Sequence, residues 1–224
     1  MWLTQKELKN AYIWEYKWYI PTINTIAYYP LKSDVKDYTN NWHDGTITWT
    51  TTYWTIGDFW YINFTWDNYV SATPMIPPEW PFTISCYLYY QNKAWAFVFQ
   101  WSFWTAQAWI TISIYPNPYL QVWSWWRWDW NSIYMLDLNT WYHVVLTYQN
   151  WTFTMYVNWN LVWTNNRTIA TATPTDFHLW RYDNRQYWID NIWWRLSEVI
   201  IEKGARSIQK TQEYFNQTKS NYWL

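Results

Sequence analysis

From Asn24 onward the chain alternates apolar and polar residues with a period of two. Phe82, Ile84, Cys86, Leu88 and Tyr90 interleave with Thr83, Ser85, Tyr87 and Tyr89. Ile110, Ile112 and Ile114 do the same with Thr111 and Ser113, and Phe153, Met155 and Val157 with Thr154 and Tyr156. Successive side chains of a strand point to opposite faces, so each run predicts an antiparallel strand with one face in a core and one polar face. Tyr142–Tyr148 reads as another strand. Further candidates are Thr25–Tyr29, Tyr61–Phe64, Asn68–Ser71, Ala96–Gln100, Tyr119–Val122, Ile133–Leu136, Phe177–Arg181 and Leu196–Glu202. Short strands broken by turn signals predict an all-β, antiparallel two-sheet sandwich or jelly roll.

The ends read differently. Thr4 followed by Glu7 forms a capping box for a short helix over Gln5–Tyr12, and Lys17–Thr22 reads as a linker. Ser207–Asn216 predicts one closing helix. The expected organisation is a helical lead-in over 1–22, one jelly-roll domain over 23–217, and a tail over 218–224.

The turns carry an anomaly. Asn150-Trp151 separates the Tyr142–Tyr148 and Phe153–Val157 runs, and Asn158-Trp159 follows the latter; Asn41-Trp42 and Asp129-Trp130 repeat the pattern. Asn-Gly is the strongest short hairpin signal, because a type I′ turn needs positive φ at both central residues. The chain holds 27 Trp and only 3 Gly, whereas ordinary usage of about 7% predicts roughly 16 glycines in this length. Most of these tryptophans therefore read as glycines encoded by a reassigned opal codon, with Gly45, Gly57 and Gly204 from ordinary codons. Trp141, which precedes a strand, reads as a true tryptophan. The alternative is a Trp-rich protein that stacks sugars or bases.

Composition narrows the function classes. A net charge of -1 with 14% charged residues gives no basic footprint for nucleic acid. No apolar run reaches the roughly 18 residues of a membrane span. Met1–Leu8 lacks the apolar stretch of a signal peptide. The single cysteine, Cys86, precludes an internal disulfide and reads as an inert core thiol.

Three stretches resemble the laminin G-like jelly roll of the concanavalin A-like lectin/glucanase superfamily. They are Ile26–Tyr38 with Asn40–Gly45, Leu138–Tyr148 with Asn150–Thr152 and Val157–Trp159, and Leu196–Glu202 before the last helix. Trp42, Trp151 and Trp159 stand where that family has glycine. The resemblance covers about residues 24–217. It implies a convex and a concave sheet, an extracellular, cell-surface or virion setting, and a glycan or surface protein as rim-bound partner.

Candidate chemistry is sparse. The longest polar insertion, Ser124–Ser132, carries Trp125, Arg127, Asp129 and Asn131, and with Tyr115 and Tyr119 it forms the expected ligand-binding set. Calcium is the one cofactor the resemblance implies, with Asp44, Asp58, Asp67 and Asn68, plus Asp129 and Asn131, as candidate oxygen ligands. None of these forms a recognisable loop code, and each reads also as a turn residue bonding its own backbone. Retaining glycoside hydrolysis needs two carboxylates about 5–5.5 Å apart. Glu198 and Glu202, four apart on one strand, would be separated by roughly 13 Å, and read as solvated edge carboxylates. The expectation is a non-catalytic recognition or adhesion module, with glycan as the first ligand class. A structural or decoration domain of a phage tail or cell-surface assembly is the alternative, and a glycoside hydrolase comes third.

Overall fold

The computed structural model describes residues 19, 21–48, 51–56, 59–64, 69–72, 81–91, 96–102, 110–115, 119–124, 134–166, 176–181, 194–222 and 224. The expected Gln5–Tyr12 helix lies outside these. Strands numbered in chain order build two antiparallel sheets. The larger sheet contains β1 (Thr25–Tyr29), β3 (Thr52–Ile56), β4 (Phe59–Phe64), β6 (Phe82–Tyr90), β11 (Thr140–Gln149), β12 (Thr152–Val157), β13 (Asn160–Asn166) and β15 (Trp194–Lys203). Its order is β13-β12-β11-β6-β15-β4-β3, with β1 also on β15. The smaller contains β2 (Thr46–Thr48), β5 (Tyr69–Ala72), β7 (Ala96–Ser102), β8 (Ile110–Tyr115), β9 (Tyr119–Ser124), β10 (Tyr134–Met135) and β14 (Asp176–Arg181). Its order is β10-β9-β8-β7-β14-β5-β2. The crossed connections make this a jelly-roll sandwich.

The alternation read from the sequence sorts the faces. Ile84, Cys86, Leu88, Val144, Leu146, Phe153, Met155 and Leu196 from the larger sheet share one core with Val70, Ile112, Ile114, Leu120, Val122, Phe177 and Leu179 from the smaller. Burying each such side chain contributes about 1.5–3 kcal/mol. Cys86 lies in this core, and burial pushes its thiol pKa up to about 12, so it stays a neutral apolar filler.

Both Asn-Trp corners are two-residue hairpin loops, since Gln149 pairs with Thr152 and Val157 with Asn160. Asn150 and Trp151 have φ of 48° and 62°, Asn158 and Trp159 of 47° and 63°, and Trp42 has φ of 63°. The left-handed conformation costs an L-residue roughly 1–2 kcal/mol. Asn158 repays part of it locally: its Oδ1 accepts from the His143 N–H at 2.9 Å while its own N–H donates to the His143 carbonyl at 2.9 Å. Gly45 is glycine for another reason. A Cβ there would lie 2.6 Å from Val70 Cγ1 and 2.9 Å from the Val35 carbonyl oxygen.

Helix α1 (Ile208–Thr218) is capped by Ser207, whose hydroxyl accepts from the Lys210 N–H. With the 3-10 turn Lys219–Tyr222 it covers part of the outer face of the larger sheet. The stretch expected to be a tail packs here: Tyr222 is buried, with its ring 3.7 Å from Tyr87 in a stacked pair. Among the described residues no helix is long and apolar enough to cross a membrane.

Candidate functional site

Beyond Tyr222 the outer face of the larger sheet opens into a cavity of about 360 Å³, lined by Trp54, Tyr61, Asn63, Gln91 and Arg195. Strand register assembles it. Arg195 on β15 stands opposite Asn63 on β4 and Tyr89 on β6, and Asn63 stands opposite Thr52 on β3. Tyr89 in turn opposes Trp141, and Tyr61 opposes Trp54. These residues share the outer face because Ile62, Leu88 and Leu196, their alternating neighbours, point into the core. The Arg195 guanidinium lies 4.8 Å from the Tyr61 ring centre and 4.6 Å from that of Tyr89, within cation–π range of both. Tyr61 is fixed by an edge contact with Trp141, whose ring is 5.0 Å from Tyr222.

Among the described residues several polar atoms around this cavity are buried without a hydrogen-bond partner: Asn63 Oδ1, Gln91 Oε1 and Arg195 Nε, with Trp141 Nε1 close by. Each such atom costs about 1–3 kcal/mol when left unsatisfied. Ordered water or a bound ligand can supply the missing bonds of such a cluster. The lining side chains offer ring faces, two amides and a guanidinium, which bind and orient polar molecules. Among the described residues the lining includes no carboxylate or imidazole.

The strongest electrostatic feature lies under the helix. β15 exchanges partners along one edge, pairing with β4 through Leu196 and with β1 from Val199, and its register with β6 shifts between Ser197 and Ile200. Glu198 sits in that bulge with φ of 48° and only 1% exposure. Its carboxylate accepts from Tyr214 Oη at 2.8 Å, with Tyr28 and Tyr222 Oη at 3.4 and 3.5 Å and the Tyr19 N–H at 3.5 Å. Burial raises its pKa to about 7 against the lowering effect of these donors. The reading of Glu198 as a solvated edge carboxylate is thereby corrected: the bulge turns it under α1. Glu202 is held too, by Tyr19 Oη at 2.7 Å and by Arg206 at 2.6 Å. His143, stacked on Tyr87, is completely buried, and desolvation drives its pKa well below the ordinary value. These groups lock the helix and Tyr19 onto the sheet.

Of the sequence-derived ligand set, Tyr115 and Tyr119 are backbone partners at the end of the β8–β9 hairpin. The 125–133 segment starts beyond Ser124, at the far end of β9, and the chain rejoins that strand where Tyr134 opposes Leu120. Trp125, Arg127, Asp129 and Asn131 themselves lie outside the described residues. So do Asp58, Asp67 and Asn68 of the calcium set. Asp44 is described, and its Oδ1 accepts the Asp37 N–H at 2.9 Å. Asp37 itself accepts from the N–H groups of Tyr28 and Thr39 and from the Thr39 hydroxyl. These carboxylates hold the 37–44 turn together. Among the described residues no three acidic, histidine or cysteine side chains gather to hold an ion.

The cavity residues escaped the sequence reading. Tyr61, Asn63, Tyr89 and Arg195 look like ordinary outward positions of alternating strands, and only long-range register brings them together.

No protein-family model matches the chain, and no curated protein matches it. Solved structures share its fold. Domain 4 of AbnA, an extracellular GH43 arabinanase from Geobacillus stearothermophilus solved with arabinotriose, aligns with a TM-score of 0.69 at 16% identity, over 85% of this chain and 98% of that one. A structure of botulinum neurotoxin type C, whose cell entry is described as dependent on two ganglioside molecules, aligns at 0.65 and 12% identity. The binding domain of Paraclostridial Mosquitocidal Protein 1 aligns at 0.62 and 13%. The chain covers 51% and 52% of these last two, about half of each. At such identities the likeness is one of fold, an antiparallel β-sandwich.

Proposed function

We propose that this chain is a non-catalytic glycan-recognition module of laminin G-like kind, acting on an exposed extracellular, cell-surface or virion surface. Its sugar contact is the cavity bordered by Tyr61, Asn63, Gln91 and Arg195. The observation that carries this reading is the set of buried polar atoms without partners beside aromatic faces: sugar hydroxyls satisfy amides and guanidinium while C–H faces lie on rings. The arabinotriose held by the AbnA domain and the gangliosides of the toxin support the same ligand class. The segment with Trp125, Arg127, Asp129 and Asn131, and separately the Tyr115–Tyr119 hairpin at the opposite end of β9, are proposed as further contacts.

A glycan array probed with and without calcium, followed by calorimetry on the hits, tests the reading. Asn63→Ala and Gln91→Ala are expected to weaken binding at least tenfold with unchanged circular dichroism. An array without hits, in either condition, overturns the reading and leaves the structural or decoration role.

We further infer that the tryptophans at 42, 151 and 159 stand for glycine in the organism, through an opal codon. Their positive φ supports this, since glycine alone takes that conformation at no steric cost. Trp54 is not among the residues with positive φ, and Trp141 is 2% exposed in the interior of a strand, so the turn argument does not extend to either. Native protein with an intact mass well below 28.1 kDa supports the inference, and a mass equal to that value refutes it.

A further inference from the structure

We propose that the sugar taken by the Tyr61–Asn63–Gln91–Arg195 cavity is acidic, with its carboxylate against Arg195 and its hydroxyls donating to Asn63 Oδ1 and Gln91 Oε1. The inference rests on the glycan-binding reading and adds the chemical class of the sugar.

The polar inventory of the cavity is asymmetric. Asn63 and Gln91 present two buried acceptors, which call for hydroxyl donors. Arg195 presents a buried Nε–H donor on a permanent cation. Among the described residues Arg206, near the helix end of this sheet, is ion-paired with Glu202, Nε donating to Oε2 at 2.8 Å and Nη2 lying 2.6 Å from the same oxygen. Among the described residues Arg195 has no such acidic partner. The Tyr61 and Tyr89 ring centres lie 4.8 and 4.6 Å from its Cζ, and the hydrogen-bonding edge of a guanidinium lies in its own plane. A planar carboxylate matches that edge bidentately, and charge assistance makes such bonds about twice as strong as neutral ones. A neutral sugar would satisfy the two amides and leave the cation unmatched. The ligand that matches both amide acceptors and the cation therefore carries several hydroxyls and one carboxylate, as in a hexuronic or nonulosonic acid. Trp54 adds a wall to the cavity but is not needed for this matching.

The experiment compares an acid with its own neutral ester on the unaltered full chain. A galacturonic acid trisaccharide and 3′-sialyllactose are titrated calorimetrically beside their methyl esters and beside arabinotriose. The expected result is that at least one acid binds roughly ten- to a hundredfold more tightly than its ester, with the preference shrinking as salt is raised. Arg195→Gln is expected to abolish the acid preference, and Arg195→Lys to restore only part of it, because a point charge lacks the fork. Asn63→Ala is expected to weaken acid and ester by similar factors. Esters or arabinotriose binding as tightly as the acids refutes the acidic assignment and leaves the glycan reading standing. No binding of any saccharide refutes both.

Discussion

Replacing Glu198 by glutamine removes the one carboxyl among the described residues that titrates near neutrality inside the fold, and the effect on stability has a definite sign. Burial raises its pKa from 4.5 to about 7, so the native state holds this proton more tightly than the unfolded chain does. The stability this group provides is complete below its unfolded pKa, declines as pH rises from about 4.5, and is gone above about 7. A shift of that size corresponds to about 3 kcal/mol. The neighbours facing Glu198 do not compete in this window. The Tyr19, Tyr28, Tyr214 and Tyr222 phenols are driven far above their ordinary pKa by burial and by Glu198 or Glu202. His143 is driven well below its own by desolvation and the nearby Arg206. Lys32 is lowered by desolvation and partly restored by Glu198. Glutamine loses some hydrogen bonding from Tyr214, but it loses the same amount at every pH. Urea unfolding of both proteins between about pH 4 and pH 8 isolates the titration: the stability of Glu198→Gln relative to the parent should rise by about 3 kcal/mol across that range. In thermal melts the corresponding relative gain is roughly 6–12 °C. A difference that stays constant with pH refutes the reasoning, because it means that the carboxyl titrates as it does in water.

Two further outcomes follow from the turns. Trp151→Gly and Trp159→Gly should each stabilise the domain by about 1–2 kcal/mol, read as a higher urea midpoint at unchanged slope, since both residues hold positive φ; a destabilisation would show that the indoles pack. Gly45→Ala should destabilise by about 1–3 kcal/mol, because its methyl would press on Val70 and the Val35 carbonyl, and an unchanged midpoint would show that the 37–45 turn can yield.

How far the sequence foretells this molecule depends on whether a signal is local. Strands β6 and β12 were legible because apolar residues alternate with Thr, Ser and Tyr along them, and β11 and β15 because each carries a short apolar run. The Asn-Trp corners were legible from hairpin chemistry, and the left-handed residues fall where Asn-Gly would have placed them. The Thr-rich run from Thr46 to Ile56 forms β2 and β3, which were not anticipated, because each strand pairs on only one side and shows little apolar alternation. The Leu161-Val162 end of β13 was visible only as a short run, with most of that strand half-buried or exposed. Glu198 was misread because a bulge breaks the period on which the reading relied. Tyr222, expected in a tail, is buried because its ring finds Tyr87, a contact that no local pattern announces. The cavity is the least legible feature. Arg195 and Asn63 are far apart in the chain, and each alone is an unremarkable outward polar residue until β15 and β4 align them.

The most direct test of a sugar site at Arg195 follows the arginine Nε–Hε resonances during titration with an acidic trisaccharide, assigning Arg195 by its loss in Arg195→Gln. The account predicts a saturable downfield shift of the Arg195 Hε signal, as that buried donor gains its first acceptor, with the Arg206 signal unmoved because Glu202 already engages it. Saturable shifts elsewhere in the chain, with Arg195 Hε unchanged, would contradict it.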